Sequence, residues 1–323
     1  MIIVRCPYRI SLFGGGTDYP SWYERHGGAV LTTTINKFCY ISLRRMPAFL
    51  GTKYRVFWSK MEAVNEIEDI QHAGVRGCLQ YLGVNDGIEI NHAGDLPARS
   101  GLGSSSAFTV GMLHALHTLQ ASPVSKERLA DEAIQVEQVV LGETVGIQDQ
   151  IECAWGGLNH IRIAQDGSYA IEQIALDESK RTDLESNLVL VFTGLQRHAS
   201  EIAAIQVGNF DRKKTQLERI SAMVSPAVNE LFQGTPEGLG EMLHETWMLK
   251  RELADAVTNP EIDRIYETAR ENGAIGGKVL GAGGGGFMLF CVPPDKRKPM
   301  LDSLGLLSCD VEINDSGSQL VLS

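Results

Sequence analysis

The chain has 323 residues, of which 43% are hydrophobic and 21% are charged, a composition typical of globular proteins and not of disordered ones. Its 29 Lys and Arg residues stand against 40 Asp and Glu residues, so the net charge is −11 and nothing attracts the chain generally to nucleic acid or anionic membrane. The six cysteines include no Cys-x-x-Cys pair, which argues against a zinc site, a disulfide framework or a dithiol redox motif. No signal peptide and no apolar run of membrane-spanning length is visible, and we therefore expect a soluble, cytoplasmic protein.

Hydrophobic patterning in the first half of the chain alternates between strand and helix. Period-two alternation, or a high content of β-branched and aromatic residues, predicts strands over 2–13, 29–45 and 87–93. Apolar residues at helical spacing predict helices over 66–82, from about Ser104, and from the cap residue Ser125 to Gly142. The serines around Ser104 are expected to supply the N-cap side chain of the second helix.

The second half shows the same alternation, with a candidate domain boundary near its start. Strands are predicted over 158–164, 168–176 and 188–194, and on either side of a glycine loop within 278–292. Residues 200–257 are predicted to be mostly helical, and the polar stretch 177–187 is the best candidate for a boundary. Strands with intervening helices in both halves indicate a mixed α/β architecture.

A glycine- and serine-rich segment stands directly before the helix predicted from about Ser104. It reads Ser100, Gly101, Leu102, Gly103, Ser104, Ser105 and Ser106. Such a loop binds phosphate, because its backbone N–H groups point outward and the helix dipole adds partial positive charge. Glycine permits close backbone approach, and serine hydroxyls suit phosphate oxygens or Mg²⁺. The alternative is a helix start of small residues packed tightly beneath a neighbouring loop.

Two other glycine motifs point to different chemistry and fit less well. Gly281, Gly283 and Gly286 have the spacing of a dinucleotide fingerprint, but a predicted strand follows them where that fold needs a helix. Residues 103–107 nearly match the Gly-x-Ser-x-Gly elbow of serine hydrolases, but the last position is alanine and no strand immediately precedes the segment. A serine hydrolase therefore stays a minor alternative.

Three segments together resemble the GHMP kinase superfamily, which includes galactokinase, homoserine kinase, mevalonate kinase and phosphomevalonate kinase. They are residues 7–18 (PYRISLFGGGTD), 96–107 (LPARSGLGSSSA) and 278–286 (KVLGAGGGG), in the order and spacing of the family. The resemblance implies an α+β fold of GHMP kinase type. Residues 1–183 would form a ribosomal protein S5 domain 2-like N-terminal domain, and residues 184–323 a ferredoxin-like C-terminal domain. ATP and a sugar would meet in the cleft between them.

The resemblance also implies roles for individual residues. Asp149 matches the catalytic aspartate that accepts the proton of the attacking hydroxyl, and Arg9 matches the arginine that offsets developing charge. Glu137 and Ser105 match the Mg²⁺ ligands. ATP phosphates are expected along Gly101, Leu102, Gly103, Ser104, Ser105 and Ser106, and the sugar along Gly16, Thr17 and Asp18. The alternatives are a helix N-cap for Asp149, a solvated strand arginine for Arg9 and a solvated helix acid for Glu137.

Two further groups of residues have supporting roles in this interpretation. A phosphate at the far end of the acceptor would be met by Arg99, Arg197, Lys250 or Arg251, each of which is otherwise an ordinary surface charge. The glycine loop of Gly281, Gly283, Gly284 and Gly285 is expected to shape the phosphate loop through close backbone packing rather than to supply chemistry.

Within the superfamily, the chain resembles D-glycero-D-manno-heptose 7-phosphate kinases and related sugar 1-kinases. The matching features are GGGTD at 14–18, GIQDQ at 146–150, and FTG at 192–194 with Arg197. Galactokinases usually read GEHTD at the first of these positions, and Arg99 replaces a small residue expected in the closest heptose kinases.

The expected function is phosphorylation of an anomeric hydroxyl with ATP and Mg²⁺, and D-glycero-D-manno-heptose 7-phosphate is the first candidate substrate. The alternatives are a kinase for a free sugar such as galactose, fucose or mannose, and a non-catalytic sugar or nucleotide sensor on the same fold. The partner is expected to be a small sugar or sugar phosphate, not nucleic acid or membrane. The expected oligomeric state is a monomer or a homodimer.

Overall fold

Two β-sheets organise the chain in the computed structural model, which describes residues 1–195 and 199–323. The first sheet has eight strands: β1 (Ile2–Phe13), β2 (Gly28–Arg45), β3 (Tyr54–Phe57), β4 (Met61–Val64), β5 (Ile88–Gly94), β6 (Leu158–Ile163), β7 (Tyr169–Gln173) and β12 (Gln319–Leu322). The second sheet has four: β8 (Leu188–Phe192), β9 (Gly276–Val279), β10 (Phe287–Cys291) and β11 (Ser308–Asp310).

Helices pack against both sheets. Those of the N-terminal part are α1 (Pro20–His26), α2 (Ala73–Leu82), α3 (Ser104–Leu119), α4 (Lys126–Gln135), α5 (Gln148–Trp155) and α6 (Glu178–Asn187). Those of the C-terminal part are α7 (Ala199–Asn209), α8 (Lys214–Ala222), α9 (Val224–Gln233), α10 (Pro236–Arg251), α11 (Pro260–Glu271) and α12 (Pro294–Leu304). In residues 1–195 and 199–323, no helix is both long and apolar enough to span a membrane.

The long strand β2 is the centre of the first sheet. The strand order is β12-β1-β2-β5-β3-β4, and β6 also pairs with β2 and carries β7. Because β2 has 18 residues, its first part pairs with β6 while its last part pairs with β5. The second sheet has the order β11-β8-β10-β9 and is antiparallel throughout. The predicted mixed α/β class is confirmed.

Helix α3 is buried along most of its length, and this fixes the position of its N-terminus. It packs on β1 and β2 on one side and on α2, α4 and α5 on the others. Gly111 allows the close approach to the sheet, since a Cβ atom at this residue would lie 3.3 Å from the Cβ of Cys6. Ala107, Val110 and Leu113 are fully buried, so the apolar surface that they remove from water anchors the helix.

The structure corrects two local predictions and adds a helix at a third place. The helix predicted over 66–82 begins only at Ala73, because His72 caps it by accepting a hydrogen bond from the N–H of Val75, and a short 3-10 turn precedes it. The polar stretch 177–187, predicted as the best candidate for a boundary, forms helix α6, whose N-cap Asp177 accepts from the N–H of Lys180. Helix α3 does begin at Ser104, but its N-cap is Gly103 in the left-handed conformation, without a side-chain cap.

The chain crosses between the two sheets twice, and the two crossings lie side by side. Helix α6 leads into β8, and the segment after β11 returns to the first sheet, where Ile313 bridges Ile35 and β12 pairs with β1. Arg181 of α6 binds the Asp315 carboxylate at 2.6 Å. Arg297 of α12 binds the Leu188 carbonyl and the Asp310 carboxylate. The predicted division into 1–183 and 184–323 thus omits a return of the last residues to the N-terminal sheet.

Candidate active site

A cavity of about 300 Å³ lies between the two parts of the fold. The N-terminal part contributes the end of β1, the loop before α3, and the segment from Glu137 to Asp149. The C-terminal part contributes residues from α7, α8, α10, β9 and the glycine loop after β9. Most of the residues singled out in the sequence therefore come together in one cleft.

The pair Arg9 and Asp149 forms the centre of the cleft. The Arg9 Nε and Nη2 atoms donate to the two carboxylate oxygens of Asp149, each at 2.5 Å, and Nη1 donates to the Gly101 carbonyl at 2.7 Å. Arg9 is only 3% exposed, whereas 23% of the Asp149 side chain is accessible from the cleft. Burial opposes the charge of Arg9, but the adjacent Asp149 carboxylate outweighs it and raises the pKa of the guanidinium. A bidentate arginine thus fixes one carboxylate at the cleft surface.

The glycine-rich loop lies directly against this pair. Gly101 and Gly103 have φ angles of 81° and 69°, which favour glycine. A Cβ atom at Gly103 would lie 3.3 Å from Oδ2 of Asp149. The 16-residue helix α3 starts at the next residue, so its free N–H groups and dipole face the space beside the Asp149 carboxylate. Ser104 and Ser105 also line the cavity. The loop is therefore an anion site that lies next to the Asp149 carboxylate.

The glycine loop after β9 supports the phosphate loop from the other domain. Its backbone approaches closely, since a Cβ atom at Gly281 would lie 2.8 Å from the Cα of Gly101. The N–H of Phe287 donates to the Ser100 carbonyl at 2.9 Å. Gly283, Gly284 and Gly285 lie further from the cavity and pack against residues 257, 202 and 195. This loop holds the phosphate loop through main-chain contacts.

Glu137 is buried at the back of the cleft in a π-helical turn, Val136–Val140, that continues α4. Its carboxylate accepts hydrogen bonds from Ser106 Oγ at 2.9 Å, Thr109 Oγ1 at 2.8 Å and Gln150 Nε2 at 2.5 Å. Burial raises the pKa of Glu137 to about 7, although these hydrogen bonds act in the opposite direction. The hydroxyls that meet Glu137 are those of Ser106 and Thr109, whereas the predicted ligand Ser105 is exposed at the cavity wall.

The donor set around Glu137 fits a magnesium ion. Mg²⁺ prefers oxygen ligands and is usually held by one or two carboxylates together with substrate phosphates and water. In the described residues no group of three or more His, Cys, Asp or Glu side chains could hold a metal. One carboxylate with neighbouring serine hydroxyls at a phosphate loop is the arrangement expected when phosphates complete the coordination.

The turn after β1 contributes a second acid. Asp18 accepts from the N–H of Gly16 at 3.0 Å, and burial raises its pKa to about 6, with a further contribution from Asp149. Gly16 and Asp18, both predicted to contact the sugar, line the cavity. Thr17 does not: it is fully buried, and its hydroxyl donates to the carbonyls of Gly14 and Ala29. Thr17 thus holds the turn.

The basic residues predicted to meet a phosphate of the acceptor lie in different parts of the structure. Arg99 lines the cavity mouth in a left-handed conformation, with φ of 59°. Lys250 lies in the cavity wall. Arg251 lies outside the cavity lining, where it binds Asp263 at 3.1 Å and covers the Trp247 ring, so it is removed from the candidates. Arg197 lies outside the described residues.

Three polar residues are among those of the cavity lining that were not singled out in the sequence. Ser11 Oγ and Gln148 Oε1 are buried without a hydrogen-bond partner in the described structure, and both residues line the cavity. Lys278 lines it from β9. Period-two patterning places Ser11 on the same face of β1 as Arg9, and Gln148 directly precedes Asp149. Their closeness to these two motif residues is the sequence signal that could have identified Ser11 and Gln148.

The cleft combines an anion site at a helix N-terminus with a carboxylate that an arginine holds in place. This combination is suited to phosphoryl transfer onto an alcohol. The cleft therefore defines a small-molecule kinase. The profile of the GHMP kinases N terminal domain matches residues 69–157, and that of the GHMP kinases C terminal domain matches residues 227–304. The chain belongs to the GHMP kinase family, and the predicted family is confirmed.

Individual relatives agree with this assignment. The sequence is 29% identical to a D-glycero-alpha-D-manno-heptose 7-phosphate kinase of Campylobacter jejuni, over 94% of this chain and 93% of that protein. It is 25% identical to a galactokinase of Pyrococcus furiosus, over 94% and 92% respectively. The structure of a D-glycero-D-manno-heptose 1-phosphate kinase from Bacteroides thetaiotaomicron has the same fold, with a TM-score of 0.83 at 21% identity over 100% of this chain and 99% of the other. 

A galactokinase of Lactococcus lactis, solved with galactose, also shares the fold. Its TM-score is 0.78 at 20% identity, over 98% of this chain and 94% of the other.

Proposed function

We propose that the enzyme transfers a phosphoryl group from ATP to the anomeric hydroxyl of a sugar, with D-glycero-D-manno-heptose 7-phosphate as the first substrate to test. The observation that carries the proposal is the Arg9–Asp149 pair, which lies at the cleft surface beside the N-terminus of α3. Similarity to a heptose 7-phosphate kinase over 94% of the chain supports the choice of sugar.

Asp149 is the proposed proton acceptor. Its carboxylate is accessible from the cleft and is held in one orientation by two hydrogen bonds from Arg9. A sugar hydroxyl that donates to this carboxylate would lose its proton there as the oxygen attacks phosphorus. Arg9 offsets the negative charge that develops on the attacking oxygen. Its hydrogen bond to the Gly101 carbonyl also fixes the position of Asp149 relative to the phosphate loop.

The loop and the buried acid Glu137 are proposed to hold Mg·ATP. Backbone N–H groups at the start of α3 and the hydroxyls of Ser104 and Ser105 would bind phosphate oxygens. Glu137, with Ser105 or Ser106, would bind the magnesium ion, which neutralises phosphate charge when bound. Asp18 and the unpartnered oxygens of Ser11 and Gln148 are proposed to accept and orient the sugar hydroxyls.

The test measures ADP release with Mg·ATP and D-glycero-D-manno-heptose 7-phosphate, the free heptose, mannose, galactose and fucose. Galactose stays in the panel because of the similarity to a galactokinase. Asp149→Asn should lower kcat by about 100- to 10,000-fold, as for loss of a general base, while the Kd of ATP changes less than about threefold. Asp211→Asn is the matched control, because Asp211 forms an exposed ion pair with Arg25. Near-normal turnover of Asp149→Asn would remove Asp149 as the base, and silence on the whole panel would refute the proposed substrates.

A further inference from the structure

Two lysines reach the cleft from the C-terminal part of the fold without an acidic partner. Lys278 of β9 is 3% exposed, and Lys250 near the end of α10 is 9% exposed. The Lys278 Nζ atom donates to the Leu12 carbonyl at 2.8 Å. The Lys250 Nζ atom donates to the Val279 and Gly281 carbonyls at 3.0 Å and 2.5 Å. Within residues 1–195 and 199–323, no carboxylate forms an ion pair with either ammonium group.

These ammonium groups retain hydrogen-bonding capacity. An ammonium group has three N–H donors, so two remain on Lys278 and one on Lys250 after the contacts to carbonyls are counted. Burial lowers the pKa of Lys250 to about 7 and lowers the pKa of Lys278 well below its ordinary value, and in both cases the Arg9 charge adds to the effect. Without a neighbouring anion, burial therefore disfavours the charged form of both lysines, and an anion bound beside them would favour that form again.

The position of Lys278 favours the acceptor over the nucleotide, and Lys250 lies between the acceptor turn and Gly281, the residue that packs on Gly101. Lys278 is anchored to Leu12, which leads into the turn that carries Gly16 and Asp18. Asp18 and Lys250 both line the cavity. The start of α3, where the nucleotide phosphates are expected, belongs to the N-terminal part and presents its own N–H donors.

We infer that Lys250 and Lys278 bind a phosphate group carried by the acceptor, so that the enzyme selects a sugar phosphate over the corresponding free sugar. This inference rests on the proposed function. The phosphate oxygens would accept the remaining lysine N–H groups, and the dianion would supply the charge that the buried pair lacks. Lys278 was not among the cations expected from the sequence to meet such a phosphate.

The test compares Lys278→Met and Lys250→Met with the wild type. Methionine has a similar length and is apolar, so each variant removes the buried charge without leaving a large void. Lys298→Met is the matched control, because the Lys298 side chain is 83% exposed. Titration calorimetry gives the affinities for heptose 7-phosphate, free heptose and ATP, and thermal melting reports folding.

Each methionine variant should weaken heptose 7-phosphate binding by at least about 30-fold, as expected for loss of a charge-assisted contact. Affinities for free heptose and ATP should change less than about threefold, and the melting temperature should be unchanged or higher. Equal weakening for both sugars, or weakening confined to ATP, overturns the inference. So does a wild type that binds both sugars equally.

Failure of the proposed function is a separate result. In that case the wild type releases no ADP with any sugar of the panel, whatever the affinities are. If one methionine variant fails to fold, the other supplies an independent measurement of the same contact.

Discussion

Replacing Glu152 by glutamine should stabilise the protein, and increasingly so as pH rises. Glu152 lies on α5 three residues after Asp149, is completely buried, and accepts one hydrogen bond from Asn159 Nδ2 at 3.0 Å. Its Oε1 atom has no partner in the described structure. Burial raises the pKa of Glu152 to about 8, although the Asn159 hydrogen bond and the Arg9 charge lower it.

The magnitude follows from the two pKa values. Between pH 4.5 and pH 8, folded Glu152 holds a proton that the unfolded chain has released, so rising pH lowers the free energy of unfolding. At pH 9 this effect amounts to about 5 kcal/mol, and at pH 5 to about 1 kcal/mol. Glutamine keeps an oxygen for Asn159 but cannot ionise, and Glu152→Gln should recover these amounts.

The assay is thermal melting of the wild type and Glu152→Gln from pH 5 to pH 9. The difference in Tm should grow with pH and reach about 5–10 °C at pH 9. Other titrating groups are common to both proteins and cancel in the difference. Curves that run parallel over this range would refute a protonated Glu152 in the folded chain.

Glu132→Gln is a control with the opposite sign. Burial acts to raise the pKa of Glu132, but hydrogen bonds with His117 and Arg128 prevail and lower it. The stability that the Glu132 carboxylate contributes is therefore present above its ordinary pKa of 4.5 and lost as pH falls through the folded value. Glu132→Gln should lower Tm at pH 7 and lower it less at pH 4.

Two further substitutions test the phosphate loop and the Arg9–Asp149 pair. Gly101→Ala should weaken ATP binding by at least about tenfold and cost about 2–4 kcal/mol of stability, because the new Cβ would lie 2.5 Å from the Leu280 carbonyl oxygen at a φ of 81°. Gly51→Ala has a similar φ of 70° but open space around it, so it should show only the backbone cost of about 1–2 kcal/mol in the same melting and ATP titrations. Arg9→Lys cannot form the two parallel bonds to Asp149, and steady-state kinetics should show kcat reduced at least about tenfold with little change in ATP affinity. Equal ATP affinities of the two alanine variants, or an unchanged kcat for Arg9→Lys, would contradict these expectations.

The parts of the fold that the sequence predicted well are those with local signals. Strand β1 was predicted at its observed bounds because its hydrophobic pattern is long and ends at three glycines. The start of α3 and the capping of α4 by Ser125 were likewise recognisable from short-range chemistry. Helix α6 was not recognised as a helix, because few apolar residues mark it.

The site was only partly predictable, for a related reason. Motifs brought Arg9, Asp149 and Glu137 to attention, but which hydroxyl meets Glu137 depends on the rotation of α3 against the π-turn. The burial of Thr17 depends in the same way on its contact with Ala29 of β2. Lys278 became visible as a cavity residue only when β9 and β1 were placed together in space. Contacts between distant segments carry no local sequence pattern.

The paired crossings between the two sheets restrict how the cleft opens. A domain joined by one linker can swing and twist freely, whereas one joined by two adjacent strands of chain can only bend about the line that they define. Arg181 links the two crossings through Asp315, and Arg297 links them through the Leu188 carbonyl and the Asp310 carboxylate. Opening of the cleft should therefore be a rotation of one domain about the line through the two crossings. Such a rotation moves Gly281 directly away from Gly101. After each such cycle the loop behind the phosphates would return to the same place.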